Sequence, residues 1–331
     1  MDLARIQGTD RAAAETLTVM ARGAGVSLLA LLGCALAFGS TPERACAGAD
    51  ADLCFAGSGN AGLDVEACTR ALGAGADSAT RTTRATLHVR RAAALIRIEQ
   101  HRVAADDLEA AIALNPYSAE AYRLLGSVRA NAGDTAGALS AYDRSIELFP
   151  SHAKAYRDRG VTQLFAGVPR KAVADLSASV QLDPFDAEAW AFRGFAHFAL
   201  ARYAQADADF ERCTALAFPY DYLALWRALA RRYAGAPWRE ALQRAAAAYA
   251  PGEWPAPLLV AAANNAQAGA ALRAMDGRPG EARAARAHFY VGALALTEQN
   301  GRRAQGHLEQ ARREAPPDSI ERLMAEVLLA R

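Results

Sequence analysis

The residues of this chain whose types could do chemistry are six histidines, five cysteines and a few paired carboxylates. No two histidines are four residues apart, the spacing that places two metal ligands on one face of a helix. The carboxylate pairs, Asp106 with Asp107 and Asp207 with Asp209, fall on helical patterns whose charged side is expected to face solvent. The sequence contains neither a glycine-rich phosphate loop nor a G-x-S-x-G nucleophile motif. These observations predict a protein that is not an enzyme and that uses no metal or cofactor.

The composition indicates which elements must position these residues. The 331 residues include 37 Lys and Arg against 36 Asp and Glu, a formal net charge of +1. This balance argues against a nucleic-acid partner, because neutralising phosphates requires a basic excess. Hydrophobic residues make up 52% of the chain, alanine and leucine are abundant, and β-branched residues are sparse. Strong helix formers in such numbers predict an all-α protein.

Residues 1–47 have the pattern of a secretory signal. Arg22 is followed by an uncharged apolar run over 25–38, and Ala45-Cys46-Ala47 offers a small-x-small cleavage site. The run is too short for a comfortable membrane span, which needs about 20 residues. We therefore predict export to the periplasm, with cleavage after Ala47 as the preferred route.

Two features of this segment stay open at the sequence level. Leu31-Leu32-Gly33-Cys34 resembles a bacterial lipoprotein box, which would place a lipid anchor on Cys34 at the outer membrane. The stretch before Met20 is long and partly acidic for a signal, so translation starts either at Met1 or at Met20.

Export changes how the remaining cysteines are interpreted. Cys54 and Cys68 flank a Gly- and Asn-rich turn, and in an oxidising compartment such a pair forms a lasting disulfide. A metal or redox pair would require C-x-x-C spacing or nearby histidines, which are absent. We predict a Cys54–Cys68 disulfide, and we expect Cys213 to be a small buried residue on a helix.

The middle of the chain repeats every 34 residues, most clearly over 119–152, 153–186 and 187–220. Each copy carries an aromatic residue, then a glycine four residues later, then an alanine and a large apolar residue. The glycine column is Gly126, Gly160 and Gly194, and the aromatic column is Tyr122, Tyr156 and Trp190. Segments 85–118 and 285–318 fit the same pattern in part.

These columns resemble the tetratricopeptide repeat (TPR) family. The resemblance implies an all-α TPR solenoid, a right-handed superhelix of antiparallel helix pairs closed by a C-terminal capping helix. We divide the chain into a signal and upstream segment (1–47), a disulfide-capped hairpin (48–84), a TPR array (85–220), a degenerate repeat with a short helix pair (221–284), and a final TPR with its cap (285–331).

The order of elements after residue 221 is similar to that of NlpI-type bacterial periplasmic TPR lipoproteins. A Leu- and Trp-rich helix precedes a Trp254-Pro255 break, and a Phe289-Tyr290-x-Gly292 repeat and a closing helix follow. This resemblance implies an adaptor that holds envelope proteases or peptidoglycan hydrolases, often as a homodimer.

The first helices of stacked repeats line the inner groove of such a solenoid, where a ligand peptide or helix binds. Counting from the columns, we predict these partner-binding groove residues: Arg123, Ser127, Arg157, Val161, Leu164, Phe195 and Phe198. The two arginines would pair with carboxylates of the partner, and the two phenylalanines would anchor it. For Phe195 and Phe198, packing against the next helix is an equally open alternative.

Two functions follow from the sequence. The first is a non-enzymatic periplasmic scaffold or adaptor that binds envelope proteins through the groove. The alternative is a structural or assembly factor for the outer membrane or a secretion apparatus that acts through self-association.

Overall fold

The computed structural model describes residues 50–74, 80–216, 223–249, 256–263, 281–297 and 300–330. The predicted signal and lipoprotein box lie outside these residues. Within them, helices and short turns account for the ordered elements and there is no strand, so the predicted all-α class is confirmed. The helices that follow the helical segment 50–56 are α1 Ala61–Ala74, α2 Arg81–Arg97, α3 His101–Leu114, α4 Ala119–Asn131, α5 Thr135–Leu148, α6 Ala153–Phe165, α7 Pro169–Leu182, α8 Ala187–Ala199, α9 Tyr203–Ala215, α10 Leu223–Tyr233, α11 Arg239–Ala246, α12 Ala256–Ala263, α13 Glu281–Thr297, α14 Gly301–Glu314 and α15 Ile320–Leu329.

The chain forms two compact units, one ending at Pro150 and one beginning at Ser151. In the first unit, α2 packs on α3 and α4 packs on α5, and α3 also contacts α4. In the second unit, α6 and α7, α8 and α9, and α13 and α14 form the corresponding antiparallel pairs. Within each unit this is the helix-pair stacking that the 34-residue period predicts.

Local sequence explains where the helices begin. The Asp134 side chain accepts the N–H of Gly137 and caps α5, and the Asp186 side chain caps α8 in the same way. Pro169 opens α7, where its missing N–H has no partner to lose. Gly133 has φ of +80°, a left-handed conformation that glycine adopts without strain in the turn before α5.

The glycine column lets the two helices of a repeat approach closely. A Cβ added to Gly126 would lie 2.6 Å from the Tyr142 ring, and one added to Gly194 would lie 2.6 Å from the Phe210 ring. Both distances are shorter than any tolerated carbon–carbon contact, so a larger side chain would force the helix axes apart.

The apolar side chains of each unit form cores between the helices. In the first unit, Leu95, Leu108 and Leu125 belong to a cluster between α2, α3 and α4. In the second unit a larger cluster surrounds Trp226 of α10, which is fully buried against aromatic rings from α8 and α13. Among the helices that the structure describes, none has the length and apolar character needed to cross a bilayer.

Candidate partner-binding surface

The first unit has a cleft of about 360 Å³ between the first helices of two consecutive repeats, α2 and α4, and the linker that precedes α4. We call it the helix-A cleft. Apolar atoms of Val89, Ala93 and Leu124 form its floor. Its full lining is Ala85, Thr86, Val89, Arg90, Ala93, Asn115, Ser118, Glu120 and Leu124. A mostly apolar floor with a few fixed polar groups is typical of a peptide or ligand site.

The polar edge of the helix-A cleft is held by local hydrogen bonds. The Asn115 side-chain oxygen accepts the N–H of Tyr117, and the Ser118 hydroxyl caps α4 by accepting the N–H of Ala121. The Asn115 side-chain amide therefore keeps a fixed position from which its N–H groups can donate. Arg90 is exposed at the opposite edge.

Arg123, which we predict to face a partner, is bound by its own helix. Its Nε and one terminal nitrogen donate to the two Glu120 oxygens at 2.8 and 2.7 Å, and 12% of its side chain is exposed. Ser127, one turn further along α4, is half-buried. Glu120 thus brings a carboxylate to the cleft edge, and Arg123 compensates the charge of that carboxylate.

Arg157 of the second unit is likewise surrounded by acidic groups of the chain. Its guanidinium lies 2.9 Å from Asp186, 3.1 Å from Glu188 and 3.1 Å from Asp158. Burial raises the pKa of Glu188, and Arg157 opposes that rise. This arginine therefore ties α6 to the start of α8. Val161, one turn later, is half-buried and packs on the apolar core of this unit.

Three predicted groove residues are buried, and their assignment to a binding surface is corrected. Leu164, Phe195 and Phe198 are 1%, 4% and 0% exposed. The rings of Phe195 and Phe198 contact Trp226 with centroids 5.0 and 5.5 Å apart. Burying an aromatic side chain between helices stabilises the fold far more than exposing it would. The packing alternative for the phenylalanines is the correct one.

A repeated ion pair inside the helix pairs was missed by the sequence interpretation. Arg193 donates through Nε and a terminal nitrogen to both oxygens of Asp209, at 2.9 and 2.6 Å. Equivalent two-point contacts join α2 to α3 and α6 to α7. The pairs are Arg91 with Asp107, Arg159 with Asp175, and Arg193 with Asp209.

These pairs correct the expectation that Asp107 and Asp209 face solvent. Each aspartate is 4% exposed and is buried because an arginine neutralises it. Burial opposes ionisation of Asp107, but hydrogen bonds from Arg91 and His88 hold its pKa below the ordinary value. The signal was present in the sequence as an arginine followed by an aspartate 16 residues later, repeated in one register.

The structure also brings together two histidines that are distant in sequence. The Nδ1 atoms of His288 on α13 and His307 on α14 lie 2.9 Å apart, so one must donate to the other. Burial lowers the pKa of both, and the proximity of His288 lowers that of His307 further. No group of three or more metal-ligating side chains occurs in the described part of the chain.

The cysteines are arranged as follows. Cys54 and Cys68 are both buried and are paired, with Cα atoms 4.8 Å apart, between the segment 50–56 and α1. Oxidation of this pair in the cell stays a prediction. Cys213 is fully buried, as expected, and burial raises the pKa of its thiol to about 12, which makes it unreactive at neutral pH.

Two protein families match parts of the sequence. Residues 187–219 match the tetratricopeptide repeat family, and residues 35–150 match the family described as bacterial transcriptional activator domain. No curated protein is significantly similar to the chain in sequence.

Several solved structures resemble the fold. The Cut9 and Hcn1 hetero-tetramer of APC/C has a chain that aligns with a TM-score of 0.51 at 16% identity, over 86% of this chain and 51% of that one. A tetratricopeptide repeat protein from Parabacteroides merdae aligns at 13% identity and a TM-score of 0.49, over 86% of this chain and 98% of that one. PilF of Pseudomonas aeruginosa aligns at 17% identity and a TM-score of 0.49, over 74% and 98%. At these identities the likeness concerns the fold alone.

Proposed function

We propose that this chain of stacked tetratricopeptide-repeat helix pairs is a non-enzymatic scaffold that holds a segment of a partner protein in the helix-A cleft. The observation that carries this proposal is the cleft itself, which joins an apolar floor to fixed hydrogen-bond donors. Stacked helix pairs supply such clefts because neighbouring first helices meet at an angle and leave room between them.

The chemistry of the cleft indicates what kind of segment it suits. Val89, Ala93 and Leu124 would take an apolar side chain, while the Asn115 amide would donate to a backbone carbonyl of the partner. Arg90 would pair with a carboxylate of the partner, because Glu120 of this chain already pairs with Arg123. The near-zero net charge gives no support for phosphate binding, so the proposed partner is a protein.

We further propose that the scaffold works in the bacterial periplasm and holds envelope proteins, such as a protease or a peptidoglycan hydrolase. The signal-like pattern over 1–47 supports export, and the Cys54–Cys68 arrangement suits an oxidising compartment. The similarity of element order to NlpI-type proteins supports envelope partners and a homodimer. Cleavage after Ala47 and lipidation at Cys34 are the two processing routes to be distinguished.

Peptide selection tests the cleft. Peptides selected from a displayed random library on the full chain would be measured against Thr86→Trp, which obstructs the cleft, and Arg90→Glu, which reverses its edge charge. We expect each variant to weaken binding at least about tenfold. The matched control is Arg102→Glu on α3, another exposed arginine outside the cleft, which should bind as the wild type does.

Binding that Arg102→Glu weakens as much as Arg90→Glu would show only a general charge effect and would refute the cleft.

Fractionation of cells that express the full chain tests the location. A periplasmic product that begins after Ala47 supports the preferred route, and palmitate incorporation that Cys34→Ala abolishes would replace it with the lipid anchor. An unprocessed cytoplasmic product would contradict export.

A further inference from the structure

The Arg–Asp pair is interrupted in one repeat of the first unit. Leu125 on α4 and Ala141 on α5 are 16 residues apart, and they occupy the positions held by Arg159 and Asp175 one period later. Both are buried, and the aromatic column is kept as Tyr122. This repeat therefore retains the surroundings of the pair without the pair itself.

A cleft of about 530 Å³ lies at the interrupted position. We call it the α3–α5 cleft, since it is bounded by α3, α4 and α5, away from the residues that line the helix-A cleft. Its lining includes Glu109, Ile112, Leu125, Arg129, Ala141 and Arg144. Its size is that of a site for a few side chains or a small ligand.

Comparison with the intact repeats explains why space remains here. In the second unit, the Arg193 guanidinium lies 4.5 Å from the Trp190 ring centroid and reaches both Asp209 oxygens. Leu125 ends several atoms short of such a reach, and Ala141 ends at Cβ. The volume that an arginine and a carboxylate take up in the other repeats is therefore open to a group from outside.

The lining specifies the chemistry of that group. Ile112, Leu125 and Ala141 present apolar atoms, which favour a bulky apolar side chain. The lining contains two arginines, Arg129 and Arg144, against one carboxylate, Glu109, so it carries net positive charge and favours a negative group. Arg144 contacts Glu147 at 3.0 Å, but both side chains are well exposed, so this pair is weak and can exchange for another carboxylate.

We propose that the α3–α5 cleft is a second protein-binding site, which takes a partner segment with a bulky apolar side chain beside an acidic residue. The apolar side chain fills the space of the missing ion pair, and the carboxylate meets Arg129 and Arg144. This site is independent of the proposed partner binding in the helix-A cleft, so either proposal can be refuted without refuting the other.

The Arg–Asp pair of the other repeats can be introduced here to fill the cleft, and we call the resulting double variant the plug variant. The double variant Leu125→Arg with Ala141→Asp restores the pair found at Arg159 and Asp175, and Tyr122 offers the ring that Tyr156 offers there. We expect this variant to fold with unchanged helix content, because three other helix pairs accept the same residues. It should close the α3–α5 cleft and leave the helix-A cleft intact.

The probes are two labelled pentapeptides with blocked ends, Gly-Asp-Phe-Asp-Gly and Gly-Lys-Phe-Lys-Gly. Binding to the full chain is followed by methyl NMR, with Ile112 reporting the α3–α5 cleft and Val89 reporting the helix-A cleft. We expect the acidic peptide to shift the Ile112 signal without shifting Val89, and the basic peptide to bind at least tenfold more weakly. The plug variant should lose the Ile112 shift.

Three results would overturn the proposal: no shift at Ile112, tighter binding of the basic peptide, or undiminished binding to the plug variant. If the plug variant does not fold, Arg129→Glu combined with Arg144→Glu replaces it. These charges lie at the edge of the cleft, so their reversal should invert the preference between the two peptides. An unchanged preference would refute the site, while a shift at Val89 alone would support only the helix-A cleft.

Discussion

The helix pairs α4/α5 and α8/α9 pack in the same way but differ in the residues at the centre of the contact. Both have a glycine that faces a buried ring, Gly126 against Tyr142 and Gly194 against Phe210. The α8/α9 pair adds Arg193 and Asp209, whereas α4/α5 has leucine and alanine at the same register. The close approach of the helices is therefore set by the glycine and the ring. The ion pair is an optional filler, and its loss leaves a cleft.

The largest expected effect comes from breaking the Arg193–Asp209 pair. Arg193→Leu leaves a carboxylate that is 4% exposed without its arginine, which should lower the free energy of unfolding by about 3 kcal/mol or more. Arg193→Leu with Asp209→Ala copies the α4/α5 pair, and it should recover to within about 1 kcal/mol of the wild type. Urea unfolding measures both. A double variant as unstable as the sum of its single changes would show that the pair is required for packing.

The shared glycines should matter in both regions. Gly194→Ala and Gly126→Ala each place a Cβ 2.6 Å from a ring, so each should cost about 1–3 kcal/mol of unfolding free energy. The control is Gly306→Ala on α14, where the added Cβ meets nothing within 4 Å and higher helix propensity should stabilise by about 0.5–1 kcal/mol. Thermal unfolding of the three variants checks this order. A stabilising Gly126→Ala would mean that α4 and α5 are not held at this distance.

Arg157, which ties α6 to α8, and Arg90, at the edge of the helix-A cleft, should separate structural from binding roles. Arg157→Glu would place a fourth carboxylate among Asp158, Asp186 and Glu188, and we expect a loss of about 2 kcal/mol in stability. Arg90→Glu, at an exposed position, should change stability by less than about 0.5 kcal/mol. Equal melting temperatures for the two variants would contradict the tie between α6 and α8.

The smallest effect is a pH dependence that differs between α2/α3 and α13/α14. Burial lowers the pKa of His288 and His307 below the ordinary 6.5, so the unfolded chain binds more protons as pH falls from about 7 to 5. Stability that is complete above pH 6.5 is therefore lost on acidification. Asp107 also has a lowered pKa, but its contribution is complete above pH 3.8 and is lost only below it.

We expect melting temperature to fall on the order of a few degrees between pH 7.5 and 5.5. Replacing both histidines, His288→Gln with His307→Gln, should reduce this slope, and the part that remains reflects His197, whose pKa burial also lowers. The matched control Asp107→Asn should leave the slope between these pH values unchanged, although it lowers stability throughout. An unreduced slope in the double glutamine variant would assign it to other groups.

The sequence predicted the periodic features of this protein well. The glycine and aromatic columns predicted which helices pair and where they touch, because each column has one geometric cause in every repeat. The groove residues were predicted less well. Phe195 and Phe198 lie at helix positions that the repeat pattern alone assigns to a surface, but the bulky Trp226 of α10 covers them.

The ion pairs and the α3–α5 cleft depend on which residues occupy two positions of the repeat together. Asp209 is buried because Arg193 reaches it from another helix, so its own helical pattern makes it look solvent-facing. The α3–α5 cleft exists because Leu125 and Ala141 are both small relative to the pair that they replace. The pattern of one helix alone predicts neither feature, whereas comparing the residues 16 positions apart in successive repeats predicts both.

Photocrosslinking from the helix-A cleft tests the interaction role most directly. A photoreactive phenylalanine analogue would replace Thr86 in the cleft or, as the control, Arg102 on α3, in cells that produce the full chain. We predict a discrete crosslinked partner from position 86 that disappears with Arg90→Glu and is absent from position 102. The same products from both positions, or none from position 86 in a folded protein, would contradict the scaffold role.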